Sequence, residues 1–325
     1  MRSKWSLLAA ALLACAGPAV PAAAQNAAPG CDQRCLTGIM ETYLDALARR
    51  APADAALAAN VVATENEQPV APGDGLWGTI TGLGSYRHIV SDPTAGSVAA
   101  FFALKEQGTG ALAMVRLQVA DRRITEVETI VVRGEGTNRF LKSEYGPVKP
   151  VFERVLPVAQ RLSRDELIRI TDGYFEAIEQ SRSAAAKFHK DCNRTENGIQ
   201  TTNNPAFGMP GSNPNSSNTP GQGCAAQIDT GIFGYITEIK PRRYLLVDES
   251  RGLVFGVFMF RHEGRLTEVD VPGRGKVKMI REAMRPFNVT VSELFKIEDG
   301  QIREIEAVMA ELPYRTRSPW KGTLR

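Results

Sequence analysis

Three residues on one predicted strand, Tyr86, His88 and Asp92, form the set in this sequence best suited to acid–base chemistry. Side chains two and four positions apart point to the same face of a β-strand. A histidine beside a tyrosine and a carboxylate can transfer protons near neutral pH. We therefore predict these three as catalytic residues in a ligand pocket, with Arg87 orienting or pairing. The alternative is a partly exposed histidine at the edge of a sheet.

Two glutamates, Glu126 and Glu128, also share one face of a predicted strand. Two carboxyl groups whose pKa values are pushed apart could serve as general acid and general base. We favour a structural interpretation, in which they form ion pairs with Arg87 and its counterpart Arg243 on neighbouring strands.

A Thr-Glu-Asn motif occurs twice, ending at Asn66 and at Asn197. Its polar groups could cap a turn through bonds to nearby backbone, or line the mouth of a pocket. No nucleophile elbow, metal-binding histidine pair or dinucleotide fingerprint accompanies it, so we predict neither metal nor cofactor. The predicted binding residues are Arg87, Glu65, Asn66, Glu196, Asn197, Arg243 and Tyr244.

The elements that must position these residues occur twice, because the chain repeats itself. Three ungapped blocks recur in the same order, at offsets of 131, 156 and 178 residues. They pair residues 36–66 with 167–197, 75–104 with 231–260, and 121–128 with 299–306. This order indicates a duplication.

Each half has the same predicted succession of elements. Apolar residues recur at helical spacing from Leu36 to Leu47 and from Leu167 to Ile178, and runs rich in Val, Ile, Phe and Tyr follow between turn signals. We predict an α+β fold of tandem duplicated cone-like domains, each a helix packed in a curved antiparallel sheet. The predicted parts are domains at 25–134 and 163–312, a linker at 135–162 and a C-terminal tail at 313–325.

The increases in offset mark two insertions in the second half. Residues 203–223 include 16 Gly, Pro, Asn or Ser among 21, a composition that buries too little apolar surface to hold a fixed shape alone. Residues 261–289 contain a basic cluster. Each insertion fits either a binding loop or a tolerated surface loop.

Several stretches resemble a known family. The first helix, Gly75-Leu76-Trp77 and the strand at 124–128 resemble the nuclear-transport-factor-2-like cone, the fold shared with ketosteroid isomerase. More specifically, the chain resembles an exported bacterial and fungal family of uncharacterised proteins built from two such halves. This resemblance implies a fold but no reaction, and Pro313-Tyr314-Arg315 departs from the Pro-Tyr-Gly of that family. The matching stretches are Cys31-x-x-x-Cys35-Leu36, Thr64-Glu65-Asn66, residues 73–77, residues 191–198 and Phe295-Lys296-Ile297.

Composition excludes some classes of function. The chain has 39 Lys or Arg and 36 Asp or Glu, a net charge of +3, which is too small and too mixed for a nucleic-acid binder. We predict an exported protein that handles a small apolar or aromatic molecule, as a cofactor-free acid–base isomerase or lyase acting in a cone pocket. The alternative is a non-catalytic ligand-binding or scaffold protein.

The N-terminal 24 residues have the pattern of an export signal. Arg2 and Lys4 precede an apolar run at 7–15, and small residues precede Gln25. No later stretch is long and apolar enough to span a membrane. A lipoprotein linked through Cys15 is the alternative to a free periplasmic or extracellular protein.

Signal cleavage leaves four cysteines, Cys31, Cys35, Cys192 and Cys224. An even number in an oxidising compartment indicates disulfides. Sequence proximity favours pairing the first with the second and the third with the fourth, although four cysteines allow three pairings. Zinc binding is the alternative, but the spacing of the first pair and the three scattered histidines fit it poorly.

Overall fold

The first half opens with helix α1, Gln33–Ala48. Asp32 caps it by accepting a hydrogen bond from the Cys35 amide at 2.8 Å. Its buried face carries Leu36, Met40, Tyr43, Leu44 and Leu47, which are spaced at three and four residues as an amphipathic helix requires. The disulfide Cys31–Cys35 adjoins this cap and confirms the first predicted pairing.

A six-stranded sheet follows α1. Short helix α2, Leu76–Thr79, leads into its third strand. The spatial order of the strands is β2-β1-β6-β5-β4-β3. Its strands are β1 Leu57–Glu65, β2 Gln68–Pro69, β3 Ile80–Asp92, β4 Ser97–Glu106, β5 Thr109–Ala120 and β6 Arg123–Val132.

The second half repeats this arrangement with additions. Helices α3, Pro150–Glu153, and α4, Arg164–Gln180, precede its sheet, and α5, Cys224–Asp229, follows its second strand. The sheet order is β8-β7-β14-β13-β10-β9. Its strands are β7 Phe188–Glu196, β8 Ile199–Gln200, β9 Ile236–Asp248, β10 Leu253–His262, β13 Phe287–Glu298 and β14 Gln301–Leu312, while β11 Glu268–Val271 and β12 Gly275–Lys278 form a separate hairpin.

The computed structural model describes residues 30–136, 138, 141–144, 146–205, 221–271, 275–278 and 285–320. The predicted export signal, Cys15 and most of the insertion at residues 203–223 lie outside these ranges. So do Arg274 and Arg281 of the basic insertion.

Element positions support the duplication. Strands β1, β3 and β6 begin 131, 156 and 178 residues before β7, β9 and β14, as the three sequence blocks require. The first insertion contributes α5, and the second contributes the β11–β12 hairpin. The prediction of an α+β fold with two cone-like halves is therefore confirmed, whereas the exact domain boundaries stay a prediction.

One pair of strands in each sheet is parallel, namely β1 with β6 and β7 with β14, whereas the other pairs are antiparallel. A purely antiparallel sheet was expected. Side chains alternate with the same period in both kinds of strand, so the sequence pattern does not distinguish their directions.

The buried side chains form three layers of core. One layer lies between α1 and the first sheet, and a second lies between α4 and the second sheet. The third contains Phe101 from the first sheet and Phe255 from the second, whose ring centroids are 5.9 Å apart. The two sheets therefore pack on each other, and the part of the chain from Cys31 onward forms one compact unit.

The segments after the last strand of each half reach the other half. In the linker, Lys149 donates a hydrogen bond to Thr195 Oγ1 at 3.1 Å. In the C-terminal tail, Trp320 donates its indole N–H to Thr64 Oγ1 at 3.1 Å. Because the two threonines occupy equivalent positions in the repeat, each half is bound by the extension of the other.

Asn66 and Asn197 close the first hairpin of each half. The Asn66 side chain donates to the Val131 carbonyl at 3.0 Å and accepts from the Val131 amide at 2.8 Å, and Asn197 binds Met309 in the same way. Both asparagines have positive φ, +46° and +47°, a conformation that asparagine tolerates better than most residues. These amide groups are thus engaged by the neighbouring strand.

We expect Asn66→Ala to lower the free energy of unfolding by about 1–3 kcal/mol, because two backbone groups lose their partner. Asn197→Ala should cost a similar amount, since the geometry is repeated. Urea denaturation measures both. Asn66→Gly is the matched control, because glycine relieves the positive φ but still removes the hydrogen bonds. If Asn66→Gly is as stable as the wild type, the hydrogen bonds of the Asn66 side chain do not stabilise the fold.

Candidate functional site

Tyr86 and His88 lie between the two sheets. Both side chains bind Glu306 of β14, Tyr86 through its hydroxyl and His88 through Nδ1 at 2.8 Å. The structure thus brings these two residues together, as predicted, but on the sheet face turned away from α1. The location expected for them, inside a cone, differs because Tyr86 and His88 lie on the face of β3 that packs against the second sheet. Their catalytic role stays a prediction.

Asp92 lies at the end of β3 and has different partners. Its Oδ1 accepts the amides of Thr94 and Ala95 at 3.0 and 3.1 Å, which shapes the turn. Its Oδ2 accepts Arg164 at 2.7 Å and the Val247 amide at 2.9 Å. Asp92 therefore joins the first half to the second.

Arg243 is the counterpart of His88 in space, although the sequence repeat aligns His88 with Tyr244. A β-bulge at Leu245 shifts the register by one residue, so Arg243 faces the first sheet and binds Glu128 there through both terminal nitrogens. The predicted ion pair of Glu128 thus forms between halves rather than within one.

The same shift turns Tyr244 toward α4. Its hydroxyl donates to Asp172 at 2.5 Å, and burial together with this carboxylate raises the pKa of Tyr244. Arg87 is exposed and lies on the opposite face of β3 from His88.

Glu65 lies at the mouth of the first cone. It accepts the Leu76 amide at 2.6 Å and pairs with Arg133 at 2.8 Å. Tyr43, Trp77 and other side chains fill the interior beside it, leaving about 20 Å³, room for about one water molecule. The first cone is closed by its own side chains.

The second cone contains a buried polar cluster that the sequence analysis missed. Arg194 of β7 is only 2% exposed. It pairs with Glu196 at 3.0 Å, lies 3.4 Å from the Tyr174 hydroxyl, and donates to Gln227 Oε1. Its guanidinium carbon lies 5.0 Å from the centre of the Phe233 ring. Of the predicted binding residues, Glu196 is the one that joins this cluster.

Glu293 of β13 is the acidic member of the cluster and is 2% exposed. Burial, reinforced by the negative charge of Glu196, raises its pKa to about 8, although Arg194 and the Tyr174 hydroxyl oppose the shift. Its Oε2 has no hydrogen-bond partner among the described residues. At neutral pH this side chain is therefore largely an uncharged acid that can donate a proton.

The described residues of the first half form no such cluster. By the repeat offsets, Ala63 stands where the second half has Arg194, and Val115 stands where it has Glu293. Buried charges usually destabilise a fold relative to apolar side chains of similar size. Because the first cone folds with apolar residues at both positions, the architecture does not require the charges. This contrast between the repeats was the signal available in the sequence.

A stack of three aromatic rings lies in the second half, where the end of β10, the start of β13 and the segment before β9 meet. Tyr235 stacks on His262 at 5.0 Å, and His262 stacks on Phe287 at 4.0 Å. Burial raises the pKa of Tyr235 to about 12 and lowers that of His262 to about 4. The second cone therefore combines a few ionisable groups with mostly apolar walls.

A separate cleft of about 530 Å³ lies where the two halves meet. It is lined by residues 91–94, 161–164 and 247–250, including Asp92 and Asp248. Nothing in the described ranges gathers three His, Cys, Asp or Glu side chains as a metal site would. No helix in the described part of the chain is long and apolar enough to cross a membrane.

The order of elements defines a tandem protein with two helix-on-sheet, cone-like α+β halves. Residues 160–309, which form most of the second half, match the model of a family described as a domain of unknown function (DUF8021). No curated protein has a sequence that matches this chain.

Three solved structures are examples of proteins similar to parts of the chain. An NTF-2 like protein of unknown function from Burkholderia xenovorans is 8% identical, covering 32% of this chain and 88% of its own, with a TM-score of 0.28. A putative ketosteroid isomerase from Kribbella flavida is 17% identical (40% and 96% covered, TM-score 0.27). An LEH-like epoxide hydrolase of M. tuberculosis is 19% identical (30% and 84%, TM-score 0.25). Similarity at this level carries no argument about activity.

Proposed function

We propose that the second cone transfers protons to or from a small apolar or aromatic molecule, as a cofactor-free isomerase or lyase would. The observation that carries this proposal is a fully buried Glu293 with a pKa raised to about 8, beside a buried Arg194, in one half of a duplicated fold. Perturbed carboxyl groups of this kind are typical of catalytic sites.

The three groups have distinct roles in this proposal. Glu293 exchanges the proton, because a pKa close to the working pH suits general acid–base catalysis. The Tyr174 hydroxyl and the Arg194 guanidinium stabilise negative charge that develops on a substrate oxygen. The enclosed, mostly apolar surroundings strengthen these electrostatic interactions.

Deuterium incorporation from D₂O tests the proposal. The mature protein is incubated with a panel of small cyclic and aromatic ketones, and NMR follows exchange at the carbon next to the carbonyl. We expect exchange with at least one ketone, lowered at least about 100-fold by Glu293→Gln. Glu126→Gln, which removes a partly exposed carboxyl of the first half that pairs with Arg116, is the control and should retain activity. Equal exchange rates in the wild type and Glu293→Gln would overturn the proposal.

The second candidate is a binding or scaffold protein without chemistry. The observation favouring it is that side chains fill the first cone, while the two sheets pack on each other. Native mass spectrometry of protein purified from its own compartment distinguishes the candidates. A ligand that still co-purifies with Glu293→Gln, together with the absence of proton exchange, would favour binding alone.

A further inference from the structure

Helix α5 covers one side of the second cone and has no counterpart in the described part of the first half. It carries Gln227, which is 3% exposed. The Gln227 amide accepts from Arg194 and donates to the Thr201 carbonyl at 2.8 Å. One side chain thus connects the guanidinium to the backbone that follows β8.

The Cys192–Cys224 disulfide, which confirms the second predicted pairing, fastens this helix to β7. Cys224 is the first residue of α5, and Cys192 lies two positions before Arg194 on β7. At its other end, α5 is held by Asp229, which accepts the amide and the hydroxyl of Ser183, both at 2.7 Å. The helix is therefore held at both ends over the Arg194 side chain.

These features occur together in one half. The position equivalent to Cys192 in the first half is Val61, and Ala63 replaces Arg194 two residues later. At these equivalent positions the first half thus has neither the cysteine nor the arginine, and its described residues contain no helix equivalent to α5. A helix that served only to close a cone would be expected in both copies.

The Arg194 guanidinium has partners on two sides, because its Nε pairs with Glu196 at 3.0 Å while a terminal nitrogen lies 3.4 Å from the Tyr174 hydroxyl. Glu196 lies on the more exposed side, with a side chain 26% exposed, whereas Tyr174 lies in the buried interior. The bond to Gln227 occupies one terminal nitrogen and leaves the other facing Tyr174. Without it, the two terminal nitrogens could leave Tyr174 and turn toward the more exposed Glu196, where the long flexible side chain would gain solvation.

We propose that α5 is a positioning element of the second-cone site: the Cys192–Cys224 disulfide fixes Gln227, and Gln227 holds Arg194 beside Tyr174. This inference rests on the proposed function, because it assigns Gln227 and the disulfide to the upkeep of that site. Gln227 acts through Arg194, so it is a positioning residue rather than a catalytic one.

The test is a titration of the Glu293 carboxyl, followed by isotope-edited infrared or NMR spectroscopy without any substrate. Arg194 lowers the pKa of Glu293, so moving the guanidinium away should raise that pKa. We expect Gln227→Ala to shift the midpoint upward by about one pH unit, and Cys192→Ala/Cys224→Ala to shift it in the same direction. Cys31→Ala/Cys35→Ala, which removes the other disulfide, should leave it unchanged.

The outcomes separate the two proposals. If the titration midpoint of Glu293 is raised in the wild type and Gln227→Ala does not change it, the positioning role is overturned. The proposed function is left standing in that case. An ordinary glutamate midpoint in the wild type would overturn both. If Gln227→Ala does not fold, Gln227→Met keeps the volume of the side chain while removing its amide, and the same upward shift is expected.

Discussion

Replacing Glu293 by glutamine should stabilise the protein at alkaline pH and leave its stability almost unchanged near pH 4. The folded-state pKa of about 8 lies above the ordinary glutamate value of 4.5, so the native protein binds a proton that the unfolded chain has released. Stability of the wild type therefore falls as pH rises from about 4.5 to about 8. Over this range the free energy of unfolding of the variant should increase by on the order of 4 kcal/mol relative to that of the wild type.

Urea unfolding at several pH values measures this difference. Glu41→Gln is a suitable control, because Glu41 is exposed on α1 and its replacement should give no such trend. If the difference in free energy of unfolding between the wild type and Glu293→Gln stays constant from pH 5 to pH 8, the pKa of Glu293 is not raised. The proposed function would then lose its main support.

The second large effect is expected at the interface between the sheets. Arg243→Ala removes the bidentate partner of Glu128, whose side chain is 2% exposed. A buried charge left without its partner typically costs 3–5 kcal/mol. Arg116 remains 3.4 Å from Glu128, so we expect a loss of about 3 kcal/mol in the free energy of unfolding.

Arg49→Ala provides the matched comparison. Arg49 pairs with Asp54 at 2.9 Å, but both side chains are more than half exposed, so its loss should cost no more than about 1 kcal/mol. Similar costs for the two variants would mean that Glu128 is satisfied by Arg116 alone. Replacing both Arg243 and Glu128 by apolar residues should recover most of the lost stability.

The repeated pattern of elements was predictable, because amphipathic spacing and turn residues act locally. Leu36 to Leu47 predicts α1, and the block offsets predict where each strand recurs. The shared orientation of Tyr86 and His88 followed from strand alternation alone. Their shared partner, Glu306, could not be predicted in this way, because it is 218 residues away from His88. Local patterns do not reveal which sheet covers a strand.

The candidate site was harder to predict for a related reason. Glu293 lies within an otherwise strand-like run, where a lone glutamate is ordinarily a solvent-facing residue. Its raised pKa comes from burial beneath α4 and among neighbouring strands, which only the folded chain produces. The two repeats differ at these positions, with Val115 opposite Glu293 and Ala63 opposite Arg194, and this difference is the feature of the sequence that indicates the site.

The bulge at Leu245 has a consequence for how duplicated halves diverge. A one-residue slip reverses which side chains of a strand face inward, so a duplicated strand can acquire a new contact without any substitution at the residue that makes it. Here the slip presents an arginine to one sheet, while the unslipped copy presents a histidine to the other. Two contacts that were identical in the ancestor can thus become chemically different through a change in backbone path. Residues that the sequence repeat aligns therefore need not have the same role in the two halves.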